Sequence, residues 1–103
     1  MKARLILMVL IELYSLAANA QSKFDSLYNL ARKGNAAAQN EIGEIYYDAE
    51  EVVKNDTEAF KWFKLSADKG YLLGINSLAF MYFHGFGVKE DKEKPLVCIE
   101  KQL

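Results

Sequence analysis

The chain repeats itself. Shifting it by 36 residues brings Phe24 onto Phe60, Ala31 onto Ala67, Lys33 onto Lys69 and Gly34 onto Gly70. The same shift brings Asn40 onto Asn76, Tyr46 onto Tyr82 and Val52 onto Val88, with no gap from Phe24 to the C-terminus. Where identity is lost, residue class is kept: Ile42 falls on Leu78, Ala38 on Gly74 and Tyr47 on Phe83. A constant offset of this size marks stacked supersecondary units, each unable to bury its apolar face alone.

The periodicity inside each unit is helical. Ala38, Ile42, Ile45, Tyr46 and Ala49 share one face of a 3.6-residue period, and Ala59, Trp62, Phe63, Ser66 and Ala67 share another. Asn55 or Asp56 is placed to cap the second of these helices. Gly34 and Gly70 stand where a helix needs a left-handed residue to stop, each after a lysine that complements the negative helix end. Ala38, Gly43, Gly74 and Ala79 allow close helix approach, while Trp62 and Tyr82 fill the remaining space. Pro95 is the only proline, and Val and Thr are sparse beside Ala, Leu, Lys and Glu, a balance that favours helix over sheet. The predicted fold is therefore all-α: an α/α solenoid of antiparallel helix pairs, about two repeats long. Its expected core is Ala38, Ile42, Tyr46, Trp62, Phe63, Ala67, Leu78, Tyr82 and Val88.

The stretch YFHGFGVKED, residues 82–91, reads as the corner between two such helices. Tyr82 ends one helix, Gly85 and Gly87 let the backbone reverse, Val88 anchors the corner and Asp91 caps the next helix. One unit earlier Ala49 and Glu51 replace both glycines. A non-glycine residue at positive φ costs about 1 kcal/mol, so extra helix to about Val52 is expected there instead. In the last unit Pro95 and Cys98 stand where Ala59 and Trp62 stand earlier. Proline is best tolerated in a first helical turn, which predicts a final helix that starts late and stays short.

The first twenty residues read as a signal peptide rather than as part of the fold. Lys2 and Arg4 precede the apolar run LILMVLIELYSLA, and Ala18-Asn19-Ala20 has the small-x-small form that signal peptidase accepts. Cleavage is expected between Ala20 and Gln21, with export to the periplasm or beyond and no stable membrane span afterwards. Glu12 interrupts the run. The alternative is an amphipathic or anchoring N-terminal helix, although the run falls short of the roughly 20 apolar residues of a span. The remaining domain, 21–103, divides into a partial repeat (24–34), a full repeat (35–70) and a degenerate last repeat (71–103). Cys98 is the only cysteine and can form no internal bridge. It reads as a small buried apolar residue, with an intermolecular disulfide or a reactive thiol as alternatives.

At these residues the chain resembles the Sel-1-like repeat family, short α/α repeats related to tetratricopeptide repeats. Residues 76–94, NSLAFMYFHGFGVKEDKEK, carry Leu78, Ala79, Tyr82, Gly85, Gly87, Val88, Asp91 and Lys94 at the family's positions. The preceding unit carries Ala38, Ile42, Gly43, Tyr46, Val52, Ala59, Trp62, Ala67 and Gly70, and 24–34 resembles the second helix of an earlier unit. The resemblance implies an adaptor that holds a peptide or protein partner on a concave face. It also implies an alternative, weak β-lactam binding or hydrolysis as described for cysteine-rich relatives that clamp each repeat with a cysteine pair.

The residues themselves favour binding over catalysis. A formal net charge of −1 supplies no drive toward nucleic acid. His84 is the only histidine and occupies a variable corner, and no serine, cysteine or acid is placed by sequence to pair with it. One histidine and one distant cysteine fall short of a metal site, and no catalytic residue, metal or cofactor is expected. If Ala38, Ile42 and Tyr46 face inward, Asn40, Glu44 and Tyr47 lie off that face, and their counterparts one unit later are Asn76, Phe80 and Phe83. These six form the candidate partner-binding ridge: the asparagines for a peptide backbone, the rings for apolar side chains. The alternative places Phe80 and Phe83 in the core or among scattered surface apolars. With about two units the stack has open ends, which suggests a homodimer by end-to-end stacking or a truncated member without an independent role.

Overall fold

The computed structural model of the chain describes residues 2–49 and 52–95. Four helices follow one another: α1 (Lys2–Arg32), α2 (Ala36–Asp48), α3 (Asp56–Asp68) and α4 (Leu72–His84). Each packs on the next, and α2 also touches α4, so the first helices of successive units lie side by side. No strand occurs among the described residues. The architecture is the expected all-α solenoid of antiparallel pairs.

The 36-residue repeat is carried into atomic detail. Asn35 caps α2, its side-chain oxygen accepting from the Ala38 N–H at 2.9 Å, and Asn55 caps α3 by accepting from Glu58 N–H at 3.1 Å. Asp91, one repeat after Asn55, likewise accepts from the backbone N–H three residues on, that of Lys94, at 3.0 Å. The backbone N–H of Asn55 donates to Tyr46 O at 3.0 Å, and that of Asp91 donates to Tyr82 O at 2.8 Å. Phe24 meets Tyr46 edge-on at 84°, and Phe60 meets Tyr82 edge-on at 88°. The C-terminal part of α1 therefore packs on α2 as α3 packs on α4.

Two apolar clusters make the core. One gathers Ala31, Ala38, Ile42 and Ile45, with Phe24, Tyr28 and Trp62 against it. The other gathers Ala59, Phe63, Leu78, Met81 and Tyr82, with Ala67 and Val88 against it. Tyr46 packs on both and joins the units. Ala38, Ile42, Phe63, Leu78 and Tyr82 are buried, whereas Tyr46, Trp62, Ala67 and Val88 are half-buried at the edges. Gly74 brings α4 close to α3: a methyl group there would collide with the Ser66 side chain and lie 3.0 Å from the Ala67 backbone nitrogen.

The corner after α2 differs from expectation. Instead of continuing as helix to Val52, α2 ends at Asp48, and Ala49 takes the left-handed conformation at φ 58, ψ 34. Gly85 ends α4 in nearly the same way, at φ 70, ψ 35. The repeat geometry needs this reversal so that Asn55 can reach the Tyr46 carbonyl, and it imposes the conformation on alanine as well as on glycine. Glu51, Cys98 and any final helix beyond Pro95 lie outside the described residues.

At the other end α1 is continuous from Lys2, and the residues from Leu5 to Ile11 are each more than half exposed. Among the described residues of this helix, Phe24, Leu27, Tyr28 and Ala31 reach the core. By length and composition, Lys2–Arg32 is long and apolar enough to cross a membrane.

Candidate functional site

The side-by-side placement of α2 and α4 opens a groove of about 400 Å³. Glu44, Tyr47 and Asp48 line it from α2, and Asn76, Ser77, Phe80 and Met81 line it from α4. Phe63 of α3 closes its floor. That ring fits beneath α2 because Gly43 has no side chain: a methyl group there would stand 2.5 Å from the Phe63 ring. The Tyr47 and Phe80 rings are perpendicular, with centroids 5.8 Å apart. Phe86, from the glycine corner, lies 5.9 Å from Tyr47 and 5.8 Å from Phe80, and His84 stacks on Phe86 at 5.4 Å. The oily corner thus supports the rings at one end of the groove.

Of the six ridge residues, four line the groove: Glu44, Tyr47, Asn76 and Phe80. Asn40 does not face solvent as expected. It is 2% exposed, and its amide donates to Glu44 Oε1 at 3.1 Å while its oxygen accepts from the Ser77 hydroxyl at 3.0 Å. The close approach of α4 covers it, which a helical wheel drawn for α2 alone does not register. Phe83 is 45% exposed but stands outside the groove, against His84 at 5.1 Å, with the Lys92 ammonium 5.4 Å from its ring centroid. Phe80, 43% exposed, is neither core nor an isolated surface ring. Periodicity alone did not single out Asp48, Ser77 or Met81. Asp48 follows Glu44 by one helical turn, a signal that was present. Ser77 and Met81 join the groove through the crossing of α4 with α2.

Electrostatically the groove is acidic at its α2 lip. Lys54 sits beside it rather than in it, donating to the Tyr47 carbonyl at 2.7 Å, pairing with Asp56 at 3.0 Å and placing its ammonium 4.1 Å from the Tyr47 ring centroid. Next to Tyr47 in the chain, burial pushes the Tyr46 phenol above its ordinary value, with the Glu58 carboxylate and Tyr28 adding to the effect. No group of three or more His, Cys, Asp or Glu side chains with metal-binding placement occurs among the described residues. The arrangement suits non-covalent capture of a side chain between rings and carboxylates.

A family profile, the Sel1 repeat, matches residues 36–71 and 72–94, more than half of the chain. The chain belongs to the Sel1 repeat family. Its two Sel1 matches begin at the first residues of α2 and α4, so each unit opens with a groove-lining helix. A sel1-like repeat-containing protein of Acanthamoeba polyphaga mimivirus is 38% identical over 73 residues, 71% of this chain but 14% of that protein. A Sel1 repeat protein from Oxalobacter formigenes has the same fold, with a TM-score of 0.73 at 24% identity over 77% of this chain and 60% of that one. The protective antigen c5321 of uropathogenic Escherichia coli, which displays an SLR fold, gives a TM-score of 0.72 at 32% identity, covering 77% of this chain and 17% of the antigen. The chain thus spans only a fraction of the length of these relatives. Sel1 repeats usually serve as protein–protein interaction modules, and proteins built from them are generally non-catalytic.

Proposed function

We propose that the chain is an exported Sel1 repeat module that binds a protein or peptide in the groove between α2 and α4, without catalysis. The observation that carries this reading is the perpendicular pair of partly exposed rings, Tyr47 and Phe80, held over the apolar floor of Phe63 and Met81. Such a concave surface offers shape and apolar area to a partner while the repeat packing keeps it preorganised. Export is supported by the positive start, the apolar run and the Ala18-Asn19-Ala20 site. Removal of residues 1–20 takes the exposed apolar part of α1 away and leaves the docked part, from Phe24 onward, in place. Self-association by stacking of repeat units belongs to the same reading.

Peptides selected on the full chain from a random display library test the binding claim. Their affinity should fall about tenfold in Tyr47→Ala and in Phe80→Ser, with helicity by circular dichroism unchanged. Selected peptides that bind both variants as well as the parent would place the surface elsewhere. For export, intact-mass analysis of the protein made in a bacterial host should find a chain starting at Gln21, and a product starting at Met1 would overturn cleavage.

A further inference from the structure

We propose that the groove receives a basic side chain, an arginine or a lysine, so that the bound segment is a basic peptide. The inference rests on the reading of this groove as the partner-binding surface and adds the chemistry of its occupant. Glu44 and Asp48 stand one helical turn apart on α2, both exposed at the lip. Among the described residues neither is ion-paired to a lysine or arginine: Lys54 pairs with Asp56, Lys61 with Glu58, Lys64 with Asp68 and Lys92 with Glu90. Like charges four residues apart on a helix repel one another, and a cation between them relieves the repulsion.

The lip is also oriented. Buried Asn40 donates to Glu44 Oε1 at 3.1 Å and accepts from the Ser77 hydroxyl at 3.0 Å, which holds one carboxylate oxygen of Glu44 in place. The rings of Tyr47 and Phe80 line the same groove, perpendicular to one another. A long basic side chain matches both parts, its methylenes against rings and floor and its charged head at the lip. The Tyr47 ring already accepts a cation, since Lys54 lies over it from beside the groove. An acidic side chain would meet like charge there. A purely apolar one would cover the carboxylates without pairing them, which costs desolvation.

The test uses the isotope-labelled full chain in detergent micelles and three acetylated, amidated peptides, Ala-Ala-X-Ala-Ala with X arginine, norleucine or glutamate. The arginine peptide should shift the amide signals of residues 44–48 and 76–81 and bind about fivefold tighter than the norleucine peptide. That preference should shrink about threefold in Asp48→Asn and in Glu44→Gln, and again at high salt. If norleucine and arginine peptides shift the same signals with equal affinity, the groove binds partners and the inference is overturned. If no peptide moves these signals, while the spectra show folded protein, the groove reading falls and the inference with it. Asp48→Asn removes a charge from an exposed helix end without touching a core residue, so loss of preference there cannot be ascribed to unfolding.

Discussion

At the scale of single residues, the two helix-ending positions Ala49 and Gly85 carry the same left-handed geometry with different side chains. An alanine there holds strain that a glycine would not. Ala49→Gly should stabilise the chain by about 0.5–1 kcal/mol, the relief of strain exceeding the added freedom of the unfolded chain, and urea unfolding should show a higher midpoint. Tyr46 has a second testable property. Its folded-state pKa lies above the ordinary tyrosine value of 10.0, so above that pH the unfolded chain loses its phenolic proton first. Stability is then fully present below about pH 10 and falls as pH rises through the folded-state value. Melting temperatures of Tyr46→Phe should decline less steeply than those of the parent on this alkaline limb. Equal slopes would mean that the phenol does not contribute.

At the scale of elements, the helices are positioned by what is missing at their contacts. Gly74 sits where α4 meets α3, against Ser66, whose hydroxyl donates to the Ala36 carbonyl at 2.7 Å and so ties α3 to the start of α2. Gly74→Ala raises helix propensity by about 1 kcal/mol, yet it forces Ser66 aside and crowds the Ala67 backbone. Overpacking of this kind costs about 1–3 kcal/mol, so the variant should melt lower despite its better helix former. Trp62 illustrates the converse. It packs edge-on against Tyr28 at 5.6 Å but is only half-buried, and Trp62→Ala should cost about 2 kcal/mol, less than for a fully enclosed ring. A chain of this size buries only about 60–65% of its unfolded surface, so even that loss should be visible as a broadened, lower thermal transition.

At the scale of the whole molecule, the described solenoid is elongated and leaves one apolar edge exposed. The described chain extends 64 Å along its longest axis and 16 Å along its shortest. Leu72 and Leu73, at the positions that Ala36 and Ala37 hold one unit earlier, are 63% and 54% exposed. Bulky apolar side chains at this edge favour a covering surface. In sedimentation equilibrium on the full chain in a mild detergent, self-association should appear and should weaken in Leu72→Ser/Leu73→Ser. A monomer at every concentration would assign that edge to a different partner.

Much of this was legible in the sequence. The 36-residue offset, the cap at Asn55, the glycine corner and the inward faces of each helix follow from local chemistry. Periodicity and capping are properties of a segment read alone, so they survive translation into three dimensions. What only the tertiary structure decided lies between segments. The approach of α4 to α2 buried Asn40, brought Ser77 and Met81 into the groove and left Phe83 outside it. The reversal demanded by repeat packing bent Ala49 into a conformation its own preference disfavours. A residue's face on its helix is set by 3.6-residue geometry, but whether that face meets solvent, a neighbour or a groove depends on helix crossings fixed by residues far away in the chain.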